Sequence, residues 1–98
     1  MIAVRFHRLA TREMRAAHAW YFQRDPAVAG RFLNAVDVAL ARVAKDPDSL
    51  AVEHSIYTSI RVRRFPYRLI FEHLQAELVL VIAVAHTSRR PRYWSRRK

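Results

Sequence analysis

Arginine is the reactive vocabulary of this chain. Arg61, Arg63, Arg64 and Arg68 crowd one stretch, and Arg89, Arg90 and Arg92 follow the apolar run from Leu78 to Ala85. A guanidinium fork donates paired hydrogen bonds to phosphate or carboxylate, and its flat face stacks on bases. Tyr93 and Trp94 come directly after the last of these arginines. The seven arginines and two rings therefore form a candidate binding surface for a phosphate backbone or an acidic polypeptide. The rings would stack on bases or fill a partner's pocket. The competing use of Trp94 is structural, because an aromatic after a last strand often packs back on the core. A merely solvated basic surface is the weaker reading, since the charge is gathered on a sheet and a tail.

Proton-transfer groups are scarce beside this charge. His86 ends the apolar run and is a candidate general acid or base. As a lone histidine it is more often a structural hydrogen-bonding group. His7, His18, His54 and His73 show no ligand spacing with one another, and the chain has no cysteine, so no metal site is expected. Gly30 is the one glycine and falls in a helical stretch, which leaves no glycine-rich phosphate loop. Glu72 and Glu77 are expected to balance neighbouring arginines. No serine–histidine–aspartate arrangement can be placed, and no cofactor is implied.

The charge is unevenly distributed. Of the net +10, residues 1–60 contribute +2 and residues 61–98 contribute +8. Ninety-eight residues, 52% of them apolar, predict a single domain over 1–98 with a modest core and any active chemistry in a shallow groove. The eight-residue run Leu78–Ala85 is far short of the roughly 20 residues that span a bilayer. Arg5 interrupts the N-terminus before a signal-peptide core can form. These features predict a soluble protein of a reducing cytosol.

The elements that must carry the arginines follow from periodicity. Ile2 to His7 alternates as a short strand, with Ile2, Val4 and Phe6 on one face. Thr11 is placed to cap a helix through Gln23, on which Met14, Ala17, Trp20 and Tyr21 recur at helical spacing. Asp25-Pro26 marks the start of a second helix. Its stripe is Ala29, Phe32, Leu33, Val36, Leu40 and Val43, and Asp46-Pro47 ends it. Residues 48–56 read as loop. From Tyr57 the period becomes two, with Ile60 and Val62 opposite Arg61 and Arg63. Phe65-Pro66-Tyr67 breaks the ladder, Arg68 to Leu74 forms a strand, Gln75-Ala76-Glu77 turns it, and Leu78 to Ala85 returns as a central strand. The prediction is an α+β fold of order β-α-α-β-β-β. A helical hairpin packs on one face of a mainly antiparallel sheet, and Arg61, Arg63 and Arg68 lie on the exposed face.

In this order the residues resemble the ParE branch of the RelE/ParE superfamily, the toxin halves of bacterial type II toxin–antitoxin pairs. The similarity runs through Trp20-Tyr21, Asp25-Pro26, Ala29 and Arg31-Phe32-Leu33. It is most specific in Arg64-Phe65-Pro66-Tyr67-Arg68 and in Ala83-Val84-Ala85-His86 with Arg89, Arg90-Pro91 and Tyr93-Trp94. The resemblance implies a growth-inhibiting toxin associated with plasmid stabilisation. It implies a cognate antitoxin, expected to present an acidic, amphipathic segment. The superfamily divides by target. RelE-like members cleave mRNA on the ribosome, whereas ParE-like members are described as poisoning DNA gyrase. Arg61 and Arg63 fall where RelE-like enzymes carry basic strand residues, and Arg68 falls on their next strand arginine. Arg89 or Arg90 and Tyr93 approximate the later arginine and tyrosine. An endoribonuclease built here would use Arg68, His86, Arg89 and Tyr93. The Phe-Pro-Tyr turn and the His86-to-Trp94 tail look more like ParE, which favours a non-enzymatic gyrase poison.

Overall fold

The computed structural model describes residues 2–97; Lys98, the last charge of the basic tail, lies outside them. Strand β1 (Ala3–Phe6) leads directly into helix α1 (Arg8–Arg24), followed by α2 (Pro26–Lys45). A 3₁₀ turn at Pro47–Ser49 precedes strands β2 (Val52–His54), β3 (Tyr57–Val62), β4 (Tyr67–Gln75) and β5 (Leu78–His86). The strands form one sheet in the order β1-β5-β4-β3-β2. Only the β1–β5 pair is parallel; β2–β3, β3–β4 and β4–β5 are antiparallel.

Beyond shifts of one residue at the ends of β1, α1, β4 and β5, two expectations differ. The His7 N–H still bonds the sheet at Val81 O (2.8 Å), yet the His7 Nδ1 already accepts the Leu9 N–H at 3.0 Å. His7 is thus the N-cap, and the Thr11 N–H makes an intrahelical bond to His7 O (3.0 Å), so Thr11 cannot cap. Val52–His54, expected as loop, adds a short edge strand whose register breaks beside Tyr57. Three residues are too few for a period to show.

Asp25 behaves as expected. Its N–H closes α1 on Tyr21 O, its Oδ1 accepts the Ala27 N–H at 3.0 Å, and Pro26 occupies the first turn of α2. One residue therefore ends one helix and starts the next, which forces an antiparallel hairpin. Its buried stripe on α2 is Ala29, Phe32, Val36, Ala39 and Val43. Ala39 joins it, whereas Leu33 is exposed. Phe32 is wholly buried. Its ring centroid lies 5.2 Å from Tyr21, 5.3 Å from Phe65 and 5.5 Å from Tyr67. The Phe-Pro-Tyr turn is thereby fastened to the hairpin. Trp20, counted above with the apolar positions of α1, is instead 51% exposed.

The far face of the sheet is not left open. Ile70, Ile82, Ala83, Ala85 and Trp94 form a second buried cluster, with Tyr57, Leu80 and Tyr93 packed against it. β5 makes this possible through a bulge. Phe71 pairs with Val81 but Ile70 pairs with Ala83, so Ile82 is the extra residue. The shift delivers both Ile82 and Ala83 to the far side. There the tail after His86 folds over them in successive turns, held at its root by Thr87 N–H to Pro66 O (2.9 Å).

Candidate functional site

The tail and the ends of β4 and β5 enclose a cleft of about 340 Å³. Arg68, His86, Arg89, Arg90, Arg92, Tyr93 and Trp94 all line it, with Glu53 from the new strand β2. Arg61, Arg63 and Arg64 lie elsewhere. They line a larger groove of about 570 Å³ against α2, where Arg68 joins them. The predicted arginine set thus divides in two, and Arg68 is the shared member.

Local geometry explains each placement. Arg61 and Arg68 are direct cross-strand neighbours, a like-charge pairing that repels. Arg68 Nη1 turns to the buried Ser59 hydroxyl, donating at 3.1 Å. Arg64 and Arg92 both occupy the left-handed backbone region, with φ of 71° and 59°. Each sits in a tight turn that throws its side chain outward. Among the described residues Arg89, Arg90 and Arg92 have no carboxylate partner. Glu72 and Glu77 likewise pair with no arginine there.

Trp94 is not a surface contact. It is 3% exposed and meets Tyr57 edge-on at 5.0 Å. Tyr93 is half-buried, with the Arg89 guanidinium 3.9 Å above its ring. Its hydroxyl donates to Glu13 Oε2 at 2.6 Å. Burial, and then this bond to Glu13, push the phenol well above its ordinary range. The His86 Nδ1 accepts the Ser88 backbone N–H at 3.0 Å. A backbone N–H can only donate, so this Nδ1 is an acceptor, and the Ser88 hydroxyl lies 2.7 Å from it as well.

Glu13 is the residue that sequence reasoning missed. Besides the Tyr93 bond, its Oε1 accepts the Val84 N–H at 3.0 Å, and its carboxylate takes both Arg97 nitrogens at 2.8 Å. Arg97 Nη1 also donates to Ile82 O at 3.0 Å. These are the strand groups left unpaired on β5 where β1 stops, its last register partner being Phe6 with Val81. Glu13 and Arg97, 15% and 12% exposed at the side chain, close that edge and latch the tail together. Burial pushes the Glu13 carboxyl up, but bonds from Arg97, Tyr93 and Val84 outweigh it, and the net shift is downward. Its bond to Glu13, stronger than its own desolvation, raises Arg97. The one available signal was that Glu13 is the sole acid among residues 1–24, amid Arg5, Arg8, Arg12 and Arg15.

Among the described residues no group of three or more histidines, cysteines or carboxylates could hold a metal. No helix among them is long and apolar enough to cross a membrane.

A helical hairpin on a mixed sheet whose basic cleft is built by a C-terminal tail defines a small, basic α+β protein. Residues 4–91 match the family model described as ParE toxin of the type II toxin–antitoxin system parDE, and the chain belongs to that family. Among solved structures it is similar to one titled as the chromosomal ParDE toxin–antitoxin system from P. aeruginosa. The TM-score is 0.74 at 13% identity, covering 90% of this chain and 98% of that one. At this identity the likeness speaks for the fold. No curated protein matches the chain.

Proposed function

We propose that this toxin inhibits bacterial growth by binding and poisoning DNA gyrase, without cleaving RNA, and that a cognate antitoxin neutralises it. The observation that carries the choice of target is that the two groups of the tail able to accept the proton are already hydrogen-bonded. Cleaving RNA through the 2′-hydroxyl needs a base beside the arginines that stabilise the phosphorane. The His86 lone pair is taken by Ser88, and the Tyr93 hydroxyl is taken by Glu13. What remains on the tail is an array of cations suited to binding, and the one carboxylate on the cleft wall, Glu53, comes from strand β2. Purified protein should slow gyrase supercoiling and raise the yield of cleaved DNA. Unchanged gyrase behaviour at micromolar protein would defeat the proposal.

One observation favours the endoribonuclease alternative: Arg68, His86, Arg89 and Tyr93 do line one cleft. Primer extension on messages after induction distinguishes the two, since ribosomal cleavage leaves new in-frame ends.

The antitoxin reading rests on family membership and on the groove between α2 and β3. Val38, 70% exposed, sits there among Arg42, Arg61, Arg63 and Arg64. An acidic, amphipathic segment would bury the valine and neutralise the arginines, ordering as it binds. Complex formation should then raise the melting temperature of the toxin. A melt unmoved by the product of the neighbouring gene would count against it.

A further inference from the structure

A second cleft, of about 420 Å³, shares His86 and Arg89 with the arginine cleft. Its character is different. Trp20, Tyr21, Pro66 and Tyr67 supply flat apolar surface, and the small Ala16 and Ala17 leave room beside them. Trp20 is half exposed, as is Phe22 on the same helix, whereas Ala10 and Ala17 turn inward. It is nevertheless held in place. The Arg24 guanidinium lies 3.6 Å from its ring centroid and donates to the Trp20 carbonyl at 2.9 Å, and Tyr21 meets its edge at 5.1 Å. A fixed, solvent-facing indole is a stacking platform whose ordering cost is already met. Glu13 also borders this cleft, but Arg97 neutralises it and occupies both its oxygens.

The arginine cleft contributes the opposite chemistry. Arg89, Arg90 and Arg92 carry no carboxylate partner among the described residues, and Glu53 is the one acid on its wall. An aromatic cleft and an anion cleft that share a wall suit a ligand with one flat apolar end and one anionic end. We infer that the two clefts together form a nucleotide site, with the nucleobase against Trp20 and Tyr67 and the phosphate on Arg89, Arg90 and Arg92. Arg89, stacked on Tyr93, stands with His86 at the junction, where the sugar would lie. The ligand is a free nucleotide or a nucleotide unit of a single strand. The site does not depend on the gyrase proposal.

Calorimetric titration of the full chain tests it, with adenosine monophosphate, adenosine, inorganic phosphate and hexaglutamate as probes. Adenosine monophosphate should bind about tenfold more tightly than phosphate, the usual return from one stacked base, and about tenfold more tightly than adenosine, through charge-assisted bonds to its phosphate. Trp20→Ala should remove its advantage over phosphate, and Arg90→Ala its advantage over adenosine. Both side chains are exposed, so the thermal melt should hold, and either variant alone suffices. A 5′-phosphorylated deoxyadenosine pentamer separates the sources: markedly tighter, salt-sensitive binding identifies a strand, and equal binding a free nucleotide. Three results overturn the site: adenosine monophosphate binding no better than phosphate, hexaglutamate binding as well as the nucleotide, or no nucleotide binding at millimolar concentration.

Discussion

The two faces of the sheet are closed by different means. On one face α1 and α2 cover a continuous core around Phe32, Val36 and Val43, all with at most 1% exposure. Its stability comes from apolar area and needs no charge. On the other face a short tail lays Trp94 over Ile70, Ile82, Ala83 and Ala85. That cluster is too small to hold an eleven-residue segment (Thr87–Arg97) by burial alone, and Glu13 ties it down from α1. The difference is instructive because the arginine cleft belongs to the second face. The candidate site is built from the layer that is fastened by polar bonds and so is easiest to loosen.

Phe32→Ala should have the largest effect, a loss of roughly 3–5 kcal/mol in denaturant unfolding, because it empties a fully packed aromatic cluster. Trp94→Ala should cost less, about 2–3 kcal/mol, because the tail can lift instead of leaving a cavity. Hydrogen exchange would separate the two. Trp94→Ala should expose amides of residues 87–97 while the helices stay protected. Equal loss of protection on both faces would show that they are one cooperative layer.

Glu13→Ala should follow at about 2 kcal/mol, since it strands the Arg97 charge, the Tyr93 hydroxyl and the Val84 N–H together. The latch also has a pH signature. The Glu13 carboxyl is depressed in the folded state below its ordinary 4.5. Its contribution is present above that value and is lost as pH falls through the folded value. The melting difference between the native chain and Glu13→Gln should therefore shrink on acidification below about 4.5 and stay flat above it. A difference that persisted in strong acid would mean that the latch acts by packing.

The smallest effect belongs to His73 and Asp48, paired at 3.0 Å near the surface. The bond to Asp48 raises the His73 pKa above its ordinary 6.5. This pair stabilises below that value and fades as pH rises through the folded one. Asp48→Asn should cost a few tenths of a kcal/mol in mild acid and nothing in alkali, as read from paired melts.

The helical face was largely legible in the sequence, because 3.6-residue spacing on α2 and the Asp25-Pro26 cap are local signals. The β4–β5 hairpin was legible for the same reason. The tail face was not. The Ile82 bulge depends on how two strands slip past each other, and the Glu13–Arg97 pair joins residues 84 positions apart. No periodicity announces either. Trp94 shows the limit well: its type allowed both a surface ring and a core ring, and only the path of the tail decides. The arginines were easy to see and hard to group, because Arg68 belongs to two grooves at once.

In the proposed function the tail supplies cations for binding while His86 and Tyr93 are already hydrogen-bonded, so that the toxin acts on gyrase and leaves RNA whole. Induction in cells, followed in parallel by message mapping and by recovery of gyrase–DNA cleavage complexes, tests this most directly. Cleavage complexes should accumulate and cells should filament with their messages intact. New in-frame cuts in messages, with gyrase complexes at the uninduced level, would contradict it.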